Sequence, residues 1–267
     1  MCTLAIYHRY LPGLPVLVAA NRDEFLARPT RGPMVLETMP QIIGGRDEVA
    51  GGSWLTLSEH GLIVGVLNRR TPRAADPALR SRGELCLELA RCPDATAAAK
   101  LLAATPTDRH NPFNILVADT TRAFVAQNRR AGMDVEELAP GLHVLTNLDL
   151  DDHECTRISH SWQHFEATGE AFCRAADRSA LLSSLRRVLA DHRTAVDDRQ
   201  PTDQLCIHTS VYGTRSSSII LIDDKGEKQY FHAAGAPCRT PYRKIALRPS
   251  AAAPSTTSLD GIETPLQ

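Results

Sequence analysis

Alternating hydrophobic and polar positions near the start of the chain predict an N-terminal β-hairpin. Residues 3–9 (TLAIYHR) alternate and predict a strand. After a Leu-Pro-Gly turn, the apolar run at residues 14–20 (LPVLVAA) predicts a second, more buried strand. An antiparallel hairpin of this kind places the end of the second strand beside the start of the first. A second hairpin is predicted from residues 53–58 and 62–67, with a glycine-rich acidic loop between the two hairpins.

Helical spacing of apolar residues follows these hairpins. We predict helices at residues 81–91 and 94–104, with Ser81 and Asp94 as N-caps, and at residues 157–168 and 179–192. Further strands are predicted at residues 113–119, 123–128, 142–147, 207–212, 217–222 and 229–232. Hairpins, then helices, then hairpins predict an α+β fold with antiparallel sheets and helices on their outer faces. Residues 248–267, rich in Pro, Ser, Thr and Ala, predict a disordered tail after a single domain at residues 1–247.

Composition narrows the class of protein. The 267 residues are 43% hydrophobic, and 30 Lys and Arg balance 31 Asp and Glu. Nucleic acid is therefore not expected as a partner, because no excess of positive charge is available to neutralise phosphates. No apolar run approaches the ~20 residues of a membrane helix, and the opening lacks the features of a secretory signal. The seven scattered cysteines contain no CxxC pair, which argues against a disulfide framework and favours a cytoplasmic location.

Cys2 is the first candidate for chemistry. Removal of Met1, which aminopeptidases perform before small residues, would leave a thiol and a free α-amine on one residue. The amine has an unperturbed pKa of about 8 and can take the thiol proton, giving an activated nucleophile. The alternative is a small buried thiol that happens to follow Met1.

Four polar residues, Asn21, Arg22, Asp23 and Glu24, follow the second strand directly. The hairpin brings them back to Cys2. There Asp23 could accept a hydrogen bond from the α-ammonium, and Arg22 could stabilise a thiolate or an oxyanion. A solvated turn would also explain this cluster.

The chain resembles the NRDE family, also called the transport and Golgi organisation 2 family. The resemblance begins with MCTLAIYHRY and VLVAANRDEFLARP and spans roughly residues 1–235, through the ordered motifs GGSWL, LN, SRGEL, NPFN, LTN and GTRSS. It implies an N-terminal nucleophile (Ntn) hydrolase type of fold, a four-layer αββα sandwich.

A more distant resemblance links the chain to the choloylglycine hydrolase and penicillin V acylase group, which cleaves amide bonds with an N-terminal cysteine. It implies that Cys2 is the nucleophile and that Asp23 contacts the α-amine. It implies oxyanion roles for Asn68 and Asn147, and it matches Arg215 loosely to a late active-site arginine. Each asparagine also fits a turn former whose side chain bonds local backbone.

One departure separates the chain from these acylases, which carry an arginine where this chain has Ala20. Because side chains alternate along a strand, we expect the Arg22 guanidinium to leave on the neighbouring face and to replace that arginine poorly.

Two functions therefore stay open. The first is an Ntn hydrolase or acyltransferase acting on an amide bond of a small molecule. The second, which the family resemblance admits, is non-catalytic binding or trafficking of haem or lipid on the same fold. We expect no resident cofactor and no metal site, because the acidic stretch at residues 149–154 fits a solvated loop and the histidines lack ligand spacing.

Overall fold

Two antiparallel sheets form the centre of the protein. The computed structural model describes residues 2–72, 74–129, 132–193 and 204–247. The first sheet comprises six strands in the order β10-β1-β2-β11-β12-β13, and the second comprises seven in the order β3-β4-β5-β6-β7-β8-β9. The strands are β1 (Thr3–Leu11), β2 (Leu14–Phe25), β3 (Thr30–Thr38), β4 (Gln41–Asp47), β5 (Leu55–Ser58), β6 (Ile63–Asn68), β7 (Phe113–Ala118), β8 (Ala123–Arg129), β9 (Gly132–Glu137), β10 (Gly141–Leu145), β11 (Tyr212–Ile222), β12 (Lys228–Ala233) and β13 (Arg243–Lys244).

Helices cover the outer face of each sheet. They are α1 (Arg82–Ala90), α2 (Ala95–Ala103), α3 (Thr156–Ala175) and α4 (Arg178–Leu189). One apolar core lies between the sheets and includes Val18 and Leu57. A second core packs α3 and α4 on the first sheet, and a third packs α1 and α2 on the second sheet. These three cores separate four layers, so the predicted αββα sandwich is confirmed.

Local signals in the sequence set the helix starts. The side chain of Ser81 accepts a hydrogen bond from the Gly83 N–H at the start of α1, and Asp94 accepts one from the Ala97 N–H at the start of α2. Both predicted caps are confirmed. The third helix runs one full turn and more beyond its predicted end, to Ala175.

The strand predicted at residues 207–212 is wrong. Only Tyr212 belongs to a strand there, because the chain turns just before it: the Thr209 hydroxyl accepts a hydrogen bond from the Tyr212 N–H, at 2.9 Å. The loop predicted between the first hairpins contains β4 instead. Its Gly45 is a packing residue, since a Cβ there would lie 2.2 Å from the Trp54 ring.

Two further observations bear on the predictions. Within the described residues no helix is both long and apolar enough to cross a bilayer. The seven cysteines are free thiols in the structure. The predicted tail at residues 248–267 lies outside the described residues, as does Met1.

Candidate active site

A cavity of about 540 Å³ opens where the two sheets meet the start of α1. The first sheet contributes Cys2, which directly precedes β1, and Arg22 of β2. The second sheet contributes Asn68 at the end of β6, and Arg82 lies at the start of α1. The hairpin register explains the first pair, since Thr3 is paired with Asn21 and the residues on either side of that pair are neighbours. The structure therefore places the predicted nucleophile in a cavity rather than in the closed core.

Cys2 is half-buried and lines this cavity, and its thiol donates a weak hydrogen bond to the Asp23 carbonyl oxygen, at 3.7 Å. Burial raises the pKa of Cys2 above its ordinary value, the Asp23 carboxylate raises it further, and the Arg22 guanidinium opposes both. The net shift is upward, which favours the protonated thiol over the thiolate. A thiol in this state needs a base before it can act as a nucleophile.

Arg22 faces the same cavity. Its guanidinium lies 4.2 Å from the centre of the Trp54 ring and its Nη2 is 3.6 Å from a carboxylate oxygen of Asp47. The Nη1 atom is buried and, within the described part of the chain, makes no hydrogen bond. The expectation that Arg22 leaves the strand on a different face from Ala20 is wrong. Positions two residues apart share a face of a strand, and both residues lie on the side that packs toward the second sheet.

The Asp23 side chain points to the opposite face, toward the helices, and is fully buried. One carboxylate oxygen accepts a hydrogen bond from the Thr214 hydroxyl at 2.6 Å, and the other pairs with Arg157 of α3 at 3.1 Å. Arg157 in turn donates to the Gln204 carbonyl at 2.9 Å. Sequence reasoning missed Arg157, because a single arginine in a predicted helix carries no motif.

The two asparagines lie one behind the other. Asn68 lines the cavity, whereas one amide N–H of the buried Asn147 is hydrogen-bonded to the backbone carbonyl of Asn68. Asn147 is thereby tied to the end of β6, and its Oδ1 has no partner among the described residues. Their oxyanion roles stay predictions.

Asn21 and Arg215 direct their side chains away from the cavity. The Asn21 amide donates to the Leu189 and Leu205 carbonyls, both at 2.8 Å, on the helix side of the sheet. Arg215 lies at a bulge of β11 and donates to the Leu26 carbonyl at 2.7 Å, beside a separate cavity of about 360 Å³. Their predicted binding roles also stay predictions.

Arg82 is a cavity residue to which the sequence reasoning gave no role. Its position follows from Gly52 of the GGSWL motif and Gly83 of the SRGEL motif, which let the backbones of these two segments come into direct contact. A Cβ on Gly52 would lie 2.1 Å from the Gly83 carbonyl carbon, and the Ser53 N–H donates to the Gly83 oxygen at 3.1 Å. This contact seats the start of α1 on the cavity wall. The Arg82 guanidinium donates to the Pro112 carbonyl and, like that of Arg22, would attract the negative charge of a Cys2 thiolate.

Solved structures with a similar fold are Ntn-hydrolase-like. A penicillin V acylase from Agrobacterium tumefaciens matches with a TM-score of 0.61 and 13% identity, over 91% of this chain and 86% of that one. A mutant of the conjugated bile acid hydrolase from Clostridium perfringens matches with a TM-score of 0.54 and 11% identity, over 94% of this chain and 98% of that one. At these identities the likeness shows the fold alone.

Sequence comparison gives a nearer relationship. The chain is 27% identical to the transport and Golgi organization 2 homolog of Mus musculus over 238 residues, which is 79% of this chain and 83% of that protein. A family model described as transport and Golgi organisation 2 matches residues 1–234. This match includes every residue that lines the Cys2 cavity. The chain therefore belongs to the transport and Golgi organisation 2 family.

Proposed function

We propose that Cys2 is the nucleophile of an Ntn hydrolase or acyltransferase that acts on an amide bond of a small molecule. The observation that carries the proposal is the position of the Cys2 thiol in a cavity between the sheets, with Arg22, Arg82 and Asn68 on the surrounding walls. The Ntn-hydrolase-like fold supports the reaction class, because the solved structures with a similar fold include an acylase and a bile acid hydrolase.

The reaction begins with removal of Met1, which gives Cys2 a free α-amine. This amine takes the proton of the thiol, and the sulfur attacks the amide carbonyl carbon, forming a C–S bond and an oxyanion. Collapse of the intermediate breaks the C–N bond, and the leaving amine departs with the proton. Water then attacks the thioester, releases the carboxylic acid and restores the thiol; an acceptor amine in place of water gives acyl transfer.

The cavity offers cations and amides for the charge that develops. The buried Nη1 of Arg22 has no hydrogen-bond partner among the described residues and is proposed to donate to an oxyanion, and Arg82 adds a second guanidinium to the cavity wall. Asn68 and Asn147 are the proposed amide donors. One well-placed donor of this kind is worth roughly 3–4 kcal/mol in the transition state. Asp23, fixed by Arg157, is proposed to hold the α-amine.

Mass spectrometry with an electrophilic acyl probe tests the nucleophile. The mature protein is expected to lack Met1 and to gain one acyl group on the peptide that begins with Cys2. Cys92→Ala is the matched control, because Cys92 is also half-buried but lies at the end of α1, away from the walls of the Cys2 cavity. It should be acylated like the wild type, and Cys2→Ala should not. Retention of Met1 in the mature chain, or an unchanged yield in Cys2→Ala, would contradict the proposal.

Non-catalytic binding of haem or lipid is the second candidate. The hydrogen bond from the Asn147 amide to the Asn68 carbonyl favours it, because an amide already bonded to the backbone is not aimed at a substrate oxyanion. Haemin titration of the wild type and of Cys2→Ala separates the candidates. A Soret shift that saturates at one haemin per chain and disappears in Cys2→Ala supports binding, and an unchanged spectrum at stoichiometric haemin opposes haem carriage.

A further inference from the structure

Two cysteines and two histidines meet on the helix side of the first sheet, apart from the Cys2 cavity. They are His192, Cys206, His208 and Cys238, and one ligand atom from each lies within 4.8 Å of the others. We propose that these four side chains bind a single Zn²⁺ ion. The sequence reasoning expected no metal here, because the ligands come from positions that are distant along the chain.

The distances fit tetrahedral coordination by zinc. With ordinary zinc–sulfur and zinc–nitrogen bonds, two thiolates of one tetrahedron lie about 3.8 Å apart, and a thiolate and an imidazole nitrogen about 3.5 Å apart. The Cys206 and Cys238 sulfurs are 3.7 Å apart. The His208 Nε2 atom lies 3.7 Å from the Cys206 sulfur and 3.1 Å from the Cys238 sulfur. Three ligands are therefore already arranged around one point.

His192 completes the set of four within the same distance limit. Its Nδ1 lies 2.9 Å from the Cys206 carbonyl oxygen, so it carries the proton and donates to that carbonyl. The Nε2 atom then keeps its lone pair for a metal. A backbone carbonyl that fixes the tautomer of a histidine in this way is the usual outer partner of a zinc ligand.

A disulfide would account for less of the cluster than zinc does. A bond between Cys206 and Cys238 would give no reason for His208 to face both sulfurs. Cation binding is less favoured at the neighbouring group of His160, His164 and Asp191, although its ligand atoms meet the same distance limit. The Asp191 carboxylate there already pairs with the Arg193 guanidinium, at 2.9 Å, so this ligand is engaged.

Zinc binding requires deprotonated thiols. Each cysteine releases one proton to solvent when the ion binds, and two thiolates then neutralise the charge of Zn²⁺. Two neutral imidazoles complete the set. All four positions are filled by the protein, which is typical of a structural rather than a catalytic zinc.

The ion would stabilise the segment that supports Asp23. Directly before Cys206, the Gln204 carbonyl accepts from Arg157 and the Leu205 carbonyl accepts from Asn21. Zinc would therefore join this segment to the chain that follows β12, where Cys238 lies. Its loss should loosen the Arg157 contact, although none of the four ligands lines the Cys2 cavity.

Zinc content of the full chain tests the site. The wild type, purified under reducing conditions with added Zn²⁺ and dialysed into metal-free buffer, is expected to retain one zinc per chain. Cys238→Ser and His208→Gln should lose it. Cys173→Ser, an exposed cysteine elsewhere, and His164→Gln, in the neighbouring group, should both retain it.

Cobalt(II) substitution provides a measurement that needs no variant to fold. Thiolate ligation produces a charge-transfer absorption in the near ultraviolet, which should saturate at one Co²⁺ per wild-type chain and be reversed by Zn²⁺. The proposal is overturned if the wild type retains no zinc and shows no such band, or if both ligand variants hold zinc like the wild type. Recovery of a Cys206–Cys238 disulfide from the isolated protein would also overturn it.

Discussion

Arg157→Met should cost about 3–5 kcal/mol of unfolding free energy, because it removes the guanidinium that pairs with a carboxylate buried in the interior. The Asp23 side chain is 0% exposed and that of Arg157 is 2% exposed, so water cannot replace the guanidinium. The Thr214 hydroxyl still donates to the carboxylate, but a neutral hydrogen bond does not replace the charge of a guanidinium. Asp23→Asn should cost about 3 kcal/mol, since it removes the carboxylate that pairs with the buried Arg157 guanidinium.

A double-mutant cycle measured by urea unfolding separates this pair from simple loss of packing. The double variant, Asp23→Asn with Arg157→Met, removes both charges and should cost less than the sum of the single variants by about 2–3 kcal/mol. The cycle should be run at neutral pH with zinc present, so that the metal site is constant. If Arg157→Met costs under about 1 kcal/mol, or if the two changes are additive within about 0.5 kcal/mol, the two buried charges do not depend on each other.

Two further predictions concern packing and pH. In Gly52→Ala, the new Cβ would lie 2.1 Å from the Gly83 carbonyl carbon and force α1 to shift. The variant should lose about 2–3 kcal/mol of unfolding free energy, and its Cys2 thiol should be alkylated more slowly. Gly51→Ala is the control, because its Cβ would meet open space and only the φ of +76° is unfavourable. It should cost about 1 kcal/mol of unfolding free energy and leave the alkylation rate unchanged. Equal effects of the two variants would refute the Gly52–Gly83 contact. Burial lowers the pKa of His232 to about 4. As the pH falls below about 6.5, this histidine is therefore protonated in the unfolded chain while it stays neutral in the folded chain. Unfolding free energy should therefore fall by up to about 3 kcal/mol as pH drops from about 6.5 to 4, and His232→Gln should flatten the curve measured by urea unfolding. Parallel curves would contradict this assignment.

Much of the fold could be predicted because its signals are local. The N-terminal hairpin follows from alternation around a Pro-Gly turn, and the caps at Ser81 and Asp94 lie within three residues of the groups they bind. The strands that were missed lack such signals. β3 is largely exposed, and β4 contains Gly44 and Gly45, whose purpose becomes visible only when the Trp54 ring lies against them.

The candidate site also has one part that local signals predict and another that they do not. Cys2 and Arg22 could be brought together by one hairpin, and the structure places both in one cavity. The support of Asp23 could not be predicted, because Arg157 lies 134 residues away and the pairing depends on how α3 packs on the sheet. The proposed zinc ligands show the same limit, since Cys206 and Cys238 are separated by 32 residues.

The cavity has one wall on each sheet, with Cys2 on the first and Asn68 on the second. The gap between nucleophile and proposed amide donor is therefore set by the thickness of the apolar layer between the sheets, which acts as a spacer. A bulkier side chain in that layer, far from any polar residue of the site, would widen the gap and slow the chemistry. Substitutions that raise the thermal stability by enlarging side chains between the sheets would therefore also change the distance between Cys2 and Asn68.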